Sequence, residues 1–144
     1  MSFYTVGARA AGAGSATLPC GSLYATAAVT PRIREIGISN TTAVAVTVGL
    51  CKLSATGTQG AALTEQSLDG SSPACAAFNT HTVTGALVDM GYRMTLGAAI
   101  GAGVIWTFGG DVGMTCNLGT SNGIGIYIPT GTGQVIDFYF VWNE

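Results

Sequence analysis

Apolar and polar residues alternate along much of this chain. From Thr42 to Leu53, Val44, Val46, Val48 and Leu50 fall on one side, and Ala43, Ala45, Thr47 and Gly49 on the other. A period of two with β-branched residues marks a strand with one buried face. Arg32–Ser39 precedes it, and Asn40 supplies turn chemistry, because Asn tolerates left-handed backbone and bonds to its own turn. Residues 32–53 therefore read as a β-hairpin. The same pattern closes the chain. Ile124, Ile126 and Ile128 alternate with Gly123, Gly125 and Tyr127, and Pro129–Gly133 forms a loop. Residues 134–142 then return with Ile136, Phe138, Phe140 and Trp142 on one face and Val135, Asp137, Tyr139 and Val141 on the other. That is a second hairpin, and its large apolar residues place the last strand in the middle of a sheet.

Shorter strands fit Phe3–Arg9, Leu23–Val29, Gly91–Leu96, Gly103–Phe108 and the stretch His81–Leu87. Helical periodicity is nearly absent. Residues 60–68, with Ala61, Ala62, Leu63, Glu65 and Gln66, fit either a turn or two of helix or a loop. About eight strands separated by Gly, Ser and Thr turns predict an all-β protein, a single-domain antiparallel β-sandwich of jelly-roll type spanning residues 1–144.

Composition adds one unusual feature. Only 8% of residues are charged, against about 25% in an ordinary soluble domain. Charge keeps soluble proteins apart. The simplest reconciliation is a surface largely covered in use; a monomer hydrated through its hydroxyls is the other. The net charge of −2 and the scattered Arg9, Arg32, Arg34, Lys52 and Arg93 argue against nucleic acid, which demands clustered cations. The opening residues lack a secretory signal pattern. The uncharged stretch Met94–Gly110 contains the Gly97–Gly101 spacing of membrane helix pairs, but it is slightly short for a span and rich in helix-weakening glycine. No membrane partner is expected.

Candidate chemistry is sparse. Cys20, Cys51, Cys75 and Cys116 contain no C-x-x-C pair, so no zinc site is expected, and buried reduced thiols are the default. A disulfide stays open, with no pairing assignable. Every Ser–His or Cys–His reading must use His81, the one histidine, and no G-x-S-x-G elbow accompanies it. A surface or turn histidine is the expectation. No Gly-Lys-Ser/Thr loop or dinucleotide fingerprint occurs. No catalytic residue, cofactor or metal is therefore assigned. Asn40–Thr41–Thr42 matches the glycosylation pattern but reads as turn chemistry. Asp137, in an apolar strand, invites a buried or interfacial ion pair with Arg34, because burying either charge alone is costly; the alternative is that Asp137 points to solvent. Trp106 and Trp142, with Tyr24, Tyr92, Tyr127 and Tyr139, fit a sugar-stacking platform or, more commonly, core and interface.

Several blocks carry a family resemblance. They are Arg32–Gly37 with Asn40–Thr42, Gly60–Glu65, Phe78–Thr82, Gly91–Arg93, Gly103–Trp106, Asn122–Gly125, Pro129–Gly133 and Phe140–Glu144. With these the chain resembles small virion-associated structural proteins of tailed phages, especially phages of actinobacteria. The resemblance spans most of the chain, and no block carries a mechanism. It implies a non-enzymatic virion protein assembled in the host cytoplasm. The first choice is a head decoration or cement protein that binds the major capsid protein lattice as a homo-oligomer, a trimer among the forms it allows. A receptor- or glycan-binding fibre module is the alternative, and a His81-dependent enzyme the remote one.

Overall fold

A computed structural model describes residues Met1–Glu144 and contains strands but no helix. Ten strands follow in order: β1 (Phe3–Arg9), β2 (Gly21–Tyr24), β3 (Arg32–Asn40), β4 (Val46–Leu53), β5 (Gln66–Ser67), β6 (Ala76–Phe78), β7 (Leu87–Leu96), β8 (Gly103–Thr107), β9 (Gly123–Thr130) and β10 (Ile136–Asn143). They build two antiparallel sheets, β5-β1-β10-β3-β8 and β6-β2-β9-β4-β7.

Setting aside the short β5 and β6, the pairing has a simple rule. β1 pairs with β10, β2 with β9, β3 with β8, and β4 with β7. The chain is one long antiparallel hairpin, doubled at β4/β7 and rolled so that alternate pairs fall in opposite sheets. This is a jelly roll. Eight of the expected strands are its frame; the expected strand at His81–Leu87 is irregular chain with one isolated bridge at Val83, and the two additional strands lie in the long connection of residues 54–86. That connection holds no helix: Ala62 bridges to Phe78 and β5 adds to β1.

Neither expected hairpin exists. β3 and β4 lie in different sheets, as do β9 and β10. Alternation shows that each strand hides one face, but two inward faces meet equally well across a core as side by side in a sheet. Loop length does not carry the distinction either. Residues 41–45 and 131–135 are five-residue loops, a length that also closes hairpins, and here they span the ~10 Å between packed sheets. The turn chemistry at Asn40 holds nonetheless: its Oδ1 accepts from the Thr42 backbone N–H at 3.0 Å, while its Nδ2 donates to the carbonyls of Val44 and Gly97.

The core lies between the sheets. Ile136, Phe138, Phe140 and Trp142 from β10 meet Ile33, Ile36 and Ile38 of β3, Val46, Val48 and Leu50 of β4, and Ile124, Ile126 and Ile128 of β9. Val44, expected on this face, lies before β4 begins and is exposed. β10 is central, held between β1 and β3. Gly21 faces the Phe138 ring so closely that a Cβ there would overlap it. A second, smaller cluster of Tyr24, Cys51, Leu53 and Tyr127 sits outside the core, packed against Phe78 and Leu87.

Two substitutions test this packing. Trp142→Ala should cost about 3–5 kcal/mol in urea unfolding, as aromatic truncations in a full core do. Gly21→Ala should cost about 1–3 kcal/mol by overpacking against Phe138.

Candidate functional site

The residues singled out for chemistry are dispersed or enclosed. Asp137 does not meet Arg34. It stands opposite Arg9 in the β1–β10 register, and the Arg9 guanidinium donates to both its oxygens at 2.7 and 3.0 Å. The pair is largely solvent-exposed and so contributes little to stability. Arg9 holds the Asp137 carboxyl below its ordinary pKa through this hydrogen bond, against a small desolvation effect. Arg34 lies toward the other end of β3, beside an irregularity opposite Val141/Trp142. There its Nε donates to Asn143 Oδ1, and its terminal nitrogens donate to the carbonyls of Gly110 and Asp111. It pins the β8–β9 connection to the C-terminal strand.

His81, expected on the surface or in a turn, lies in an irregular connection but is buried there. Its Nε2 lies 2.8 Å from Ser22 Oγ, and its ring stacks against Tyr24 with centroids 6.1 Å apart. Both members of this pair are essentially inaccessible. The burial comes from the connection of residues 54–86, which folds onto β2: the His81 N–H donates to Pro19 O, and β6 pairs β2. Nδ1 makes no hydrogen bond of acceptable geometry, although the nearby Val83 backbone favours the protonated ring slightly. No carboxylate orients the imidazole. Desolvation dominates and lowers the pKa below the usual 6.5.

All four cysteines are buried free thiols. Desolvation raises Cys20 to about 11 and Cys51 and Cys75 further, so they are poor nucleophiles. No three His, Cys, Asp or Glu side chains gather around a common point suited to a metal ion. The stretch Met94–Gly110 is the end of β7, a turn and β8, and no helix is long and apolar enough to cross a membrane. Of the aromatics considered as a platform, Trp142, Tyr24 and Tyr127 are buried.

What the fold does leave open is one side of the sandwich. β7 and β8 end their two sheets on the same side, opposite β5 and β6. Large apolar side chains are exposed on these strands and their flanking connections, among them Val88, Tyr92, Met94, Ile100, Ile105 and Val112. Tyr92 reaches across the gap between the sheets to meet Trp106 edge-on at 6.1 Å and Phe108 at 5.6 Å. A hollow of about 510 Å³ opens beside them, lined partly by Met90, Tyr92, Phe108 and Met114. The only charges on β7 and β8 are Asp89 and Arg93, paired with each other at 2.7 Å. A second groove, of about 390 Å³, lies along β3, β8 and β10, with Ser39, Asp137 and Tyr139 among its lining. The Tyr139 ring covers Gly37, where a Cβ would collide with it.

The fold and this surface define a jelly-roll protein with a neutral, apolar open side. Comparison with protein-family models, curated proteins and solved structures finds no match to the chain.

The buried histidine gives a pH test. The unfolded chain protonates His81 near pH 6.5, while the folded state resists protonation. Below about 6.5 the unfolded state binds more protons, so stability falls with decreasing pH and levels off under the lowered folded pKa. Thermal melts between pH 7.5 and pH 5 should show this loss, and His81→Gln should flatten it. The Asp89 and Asp137 carboxyls, whose pKa values are lowered from 3.8, lose their stabilising effect only in stronger acid.

Proposed function

We propose that this protein is a non-enzymatic structural component of a virion, a decoration or cement protein that docks on the head lattice of major capsid protein. The observation that carries this reading is the open side of the sandwich. An apolar strip with internally neutralised charge suits burial against protein, since exposed patches of this kind mark interaction sites. The low overall charge and the resemblance to phage virion proteins support the same reading. The Ser22–His81 pair is sealed from solvent and lacks an orienting carboxylate, which speaks against hydrolytic chemistry.

One feature favours a second reading, a receptor- or glycan-binding module. The groove along β3, β8 and β10 sets a half-buried Tyr139 ring, lying over Gly37, beside the opposed pair Asp137 and Ser39, and Ser39 makes no side-chain hydrogen bond, leaving its hydroxyl for a ligand. Tyr139→Ala should abolish binding on a glycan array if this reading holds, whereas a decoration protein gives no array signal to abolish.

Quantitative mass spectrometry of purified particles tests the first reading. A copy number comparable to that of the major capsid protein is expected, and a handful of copies per particle would reject lattice decoration.

A further inference from the structure

An antiparallel sheet ends in a row of unpaired N–H and C=O groups, and natural proteins blunt such edges. Three of the four sheet edges here are blunted. β5 has only two residues. β6 is covered by residues 61–63 through Leu63 N–H to Ala77 O and Asn79 N–H to Ala61 O. β7 is interrupted: Asp89 to Arg93 spans five residues where β4 offers only Gly49 to Cys51, Gly91 takes φ +83°, and the Asp89 carboxylate caps the Gly91 N–H. Such a bulge with flanking charges turns an edge away from pairing.

β8 has none of these devices. Gly103–Val104–Ile105–Trp106–Thr107 is regular, uncharged and free of proline. Its hydrogen-bonding direction follows from its neighbours. Phe108 N–H donates to Arg34 O, and Asn40 N–H donates to Ala102 O. In the continuous β3–β8 register these fix Ala102, Val104, Trp106 and Phe108 as the residues whose backbone faces β3. The N–H and C=O groups of Gly103, Ile105 and Thr107 therefore face outward, and no protein group bonds them.

We propose that a second copy of this chain docks on this edge, β8 against β8 in antiparallel register about a two-fold axis through Ile105, joining the two five-stranded sheets into one. In this register Ile105 exchanges both backbone hydrogen bonds with its twin, and Gly103 of each copy does so with Thr107 of the other. Every outward group on β8 is then satisfied. Ile105, 62% exposed, packs beside its twin on the outer face, and Val104 meets Trp106 of the other copy on the inner face. The two-fold also carries Ile100, 76% exposed at the tip of the turn before β8, toward Gly109–Gly110 of the other copy, at the mouth of the hollow beside Phe108. Knob and hollow thus sit on opposite ends of the same strand, as a self-complementary interface demands. No like charges oppose, because β8 has none and the Asp89–Arg93 pair beside it is neutral as a unit. This inference goes beyond the virion reading and does not rest on it, and it divides the open side, β8 and its turns facing the second copy and β7 being left for a lattice: it stands if the protein is absent from particles, and falls if particles carry it only as monomers.

Light scattering coupled to size exclusion tests it on the whole chain. The wild type should show twice the 14.5 kDa chain mass. Ile105→Lys, which places like charges at the axis on an exposed site, should halve that mass while keeping the near-ultraviolet circular dichroism of the fold. Ile105→Cys should form an intermolecular disulfide on oxidation, because paired residues in this register have Cα atoms about 5.5 Å apart. A wild-type monomer or trimer, an Ile105→Lys variant of unchanged mass, or absence of the Ile105→Cys cross-link would each overturn the proposed pairing.

Discussion

Burial of the β10 apolar face is the interaction on which the remaining structure depends. Ile136, Phe138, Phe140 and Trp142 point into the core from a strand held on both sides, by β1 and by β3. A central strand surrenders no backbone groups to solvent, so its polar atoms are satisfied by the ladder while its large side chains are desolvated together. The opposite sheet offers Ile, Val and Leu from β4 and β9 as the complementary wall. Gly21 has no side chain where Phe138 lies across it, an example of the close fit that core packing requires.

With the core settled in this way, the two sides of the sandwich differ in kind. One is closed by the chain itself. The connection of residues 54–86 supplies β5 and β6, packs Phe78 against the cluster of Tyr24, Cys51, Leu53 and Tyr127, and encloses His81. The other side has no such cover, and its Tyr92, Trp106 and Phe108 are left to plug the gap between the sheets. Arg34 steadies this side from beneath by holding the Gly110 and Asp111 carbonyls. The asymmetry gives the exposed apolar side chains a location: several of the largest lie where no segment of this chain covers the sandwich.

The strands, the inward set of residues on β10 and its central place were readable from alternation, because a period of two reports directly which side chains are hidden. Partner identity was not. The strands on either side of Asn40 and of Pro129–Gly133 looked like hairpins because facing sheets and paired strands bury the same pattern. β5 and β6 are too short to show any period. Asp137 was rightly noticed as a charge in an apolar strand, but its partner depends on register across sheet neighbours, which put Arg9 opposite it and Arg34 near Asn143. His81 lies in a turn-rich stretch with no periodicity, so nothing local indicated that a long connection would bury it. The open β8 edge did leave a trace, in the complete absence of charge and proline from Gly103 to Thr107.

The rolled hairpin pairs Phe3 with Asn143, so the beginning and end of the chain lie side by side. Strand β1 is synthesised well before β10, the partner of its whole length, and β3 waits for the same strand on one side. Until β10 emerges from the ribosome, β1 has only the two-residue β5 beside it and β3 only β8. The assembled sandwich therefore closes late rather than by gradual emergence, and shielding of the nascent chain matters most just before β10 appears.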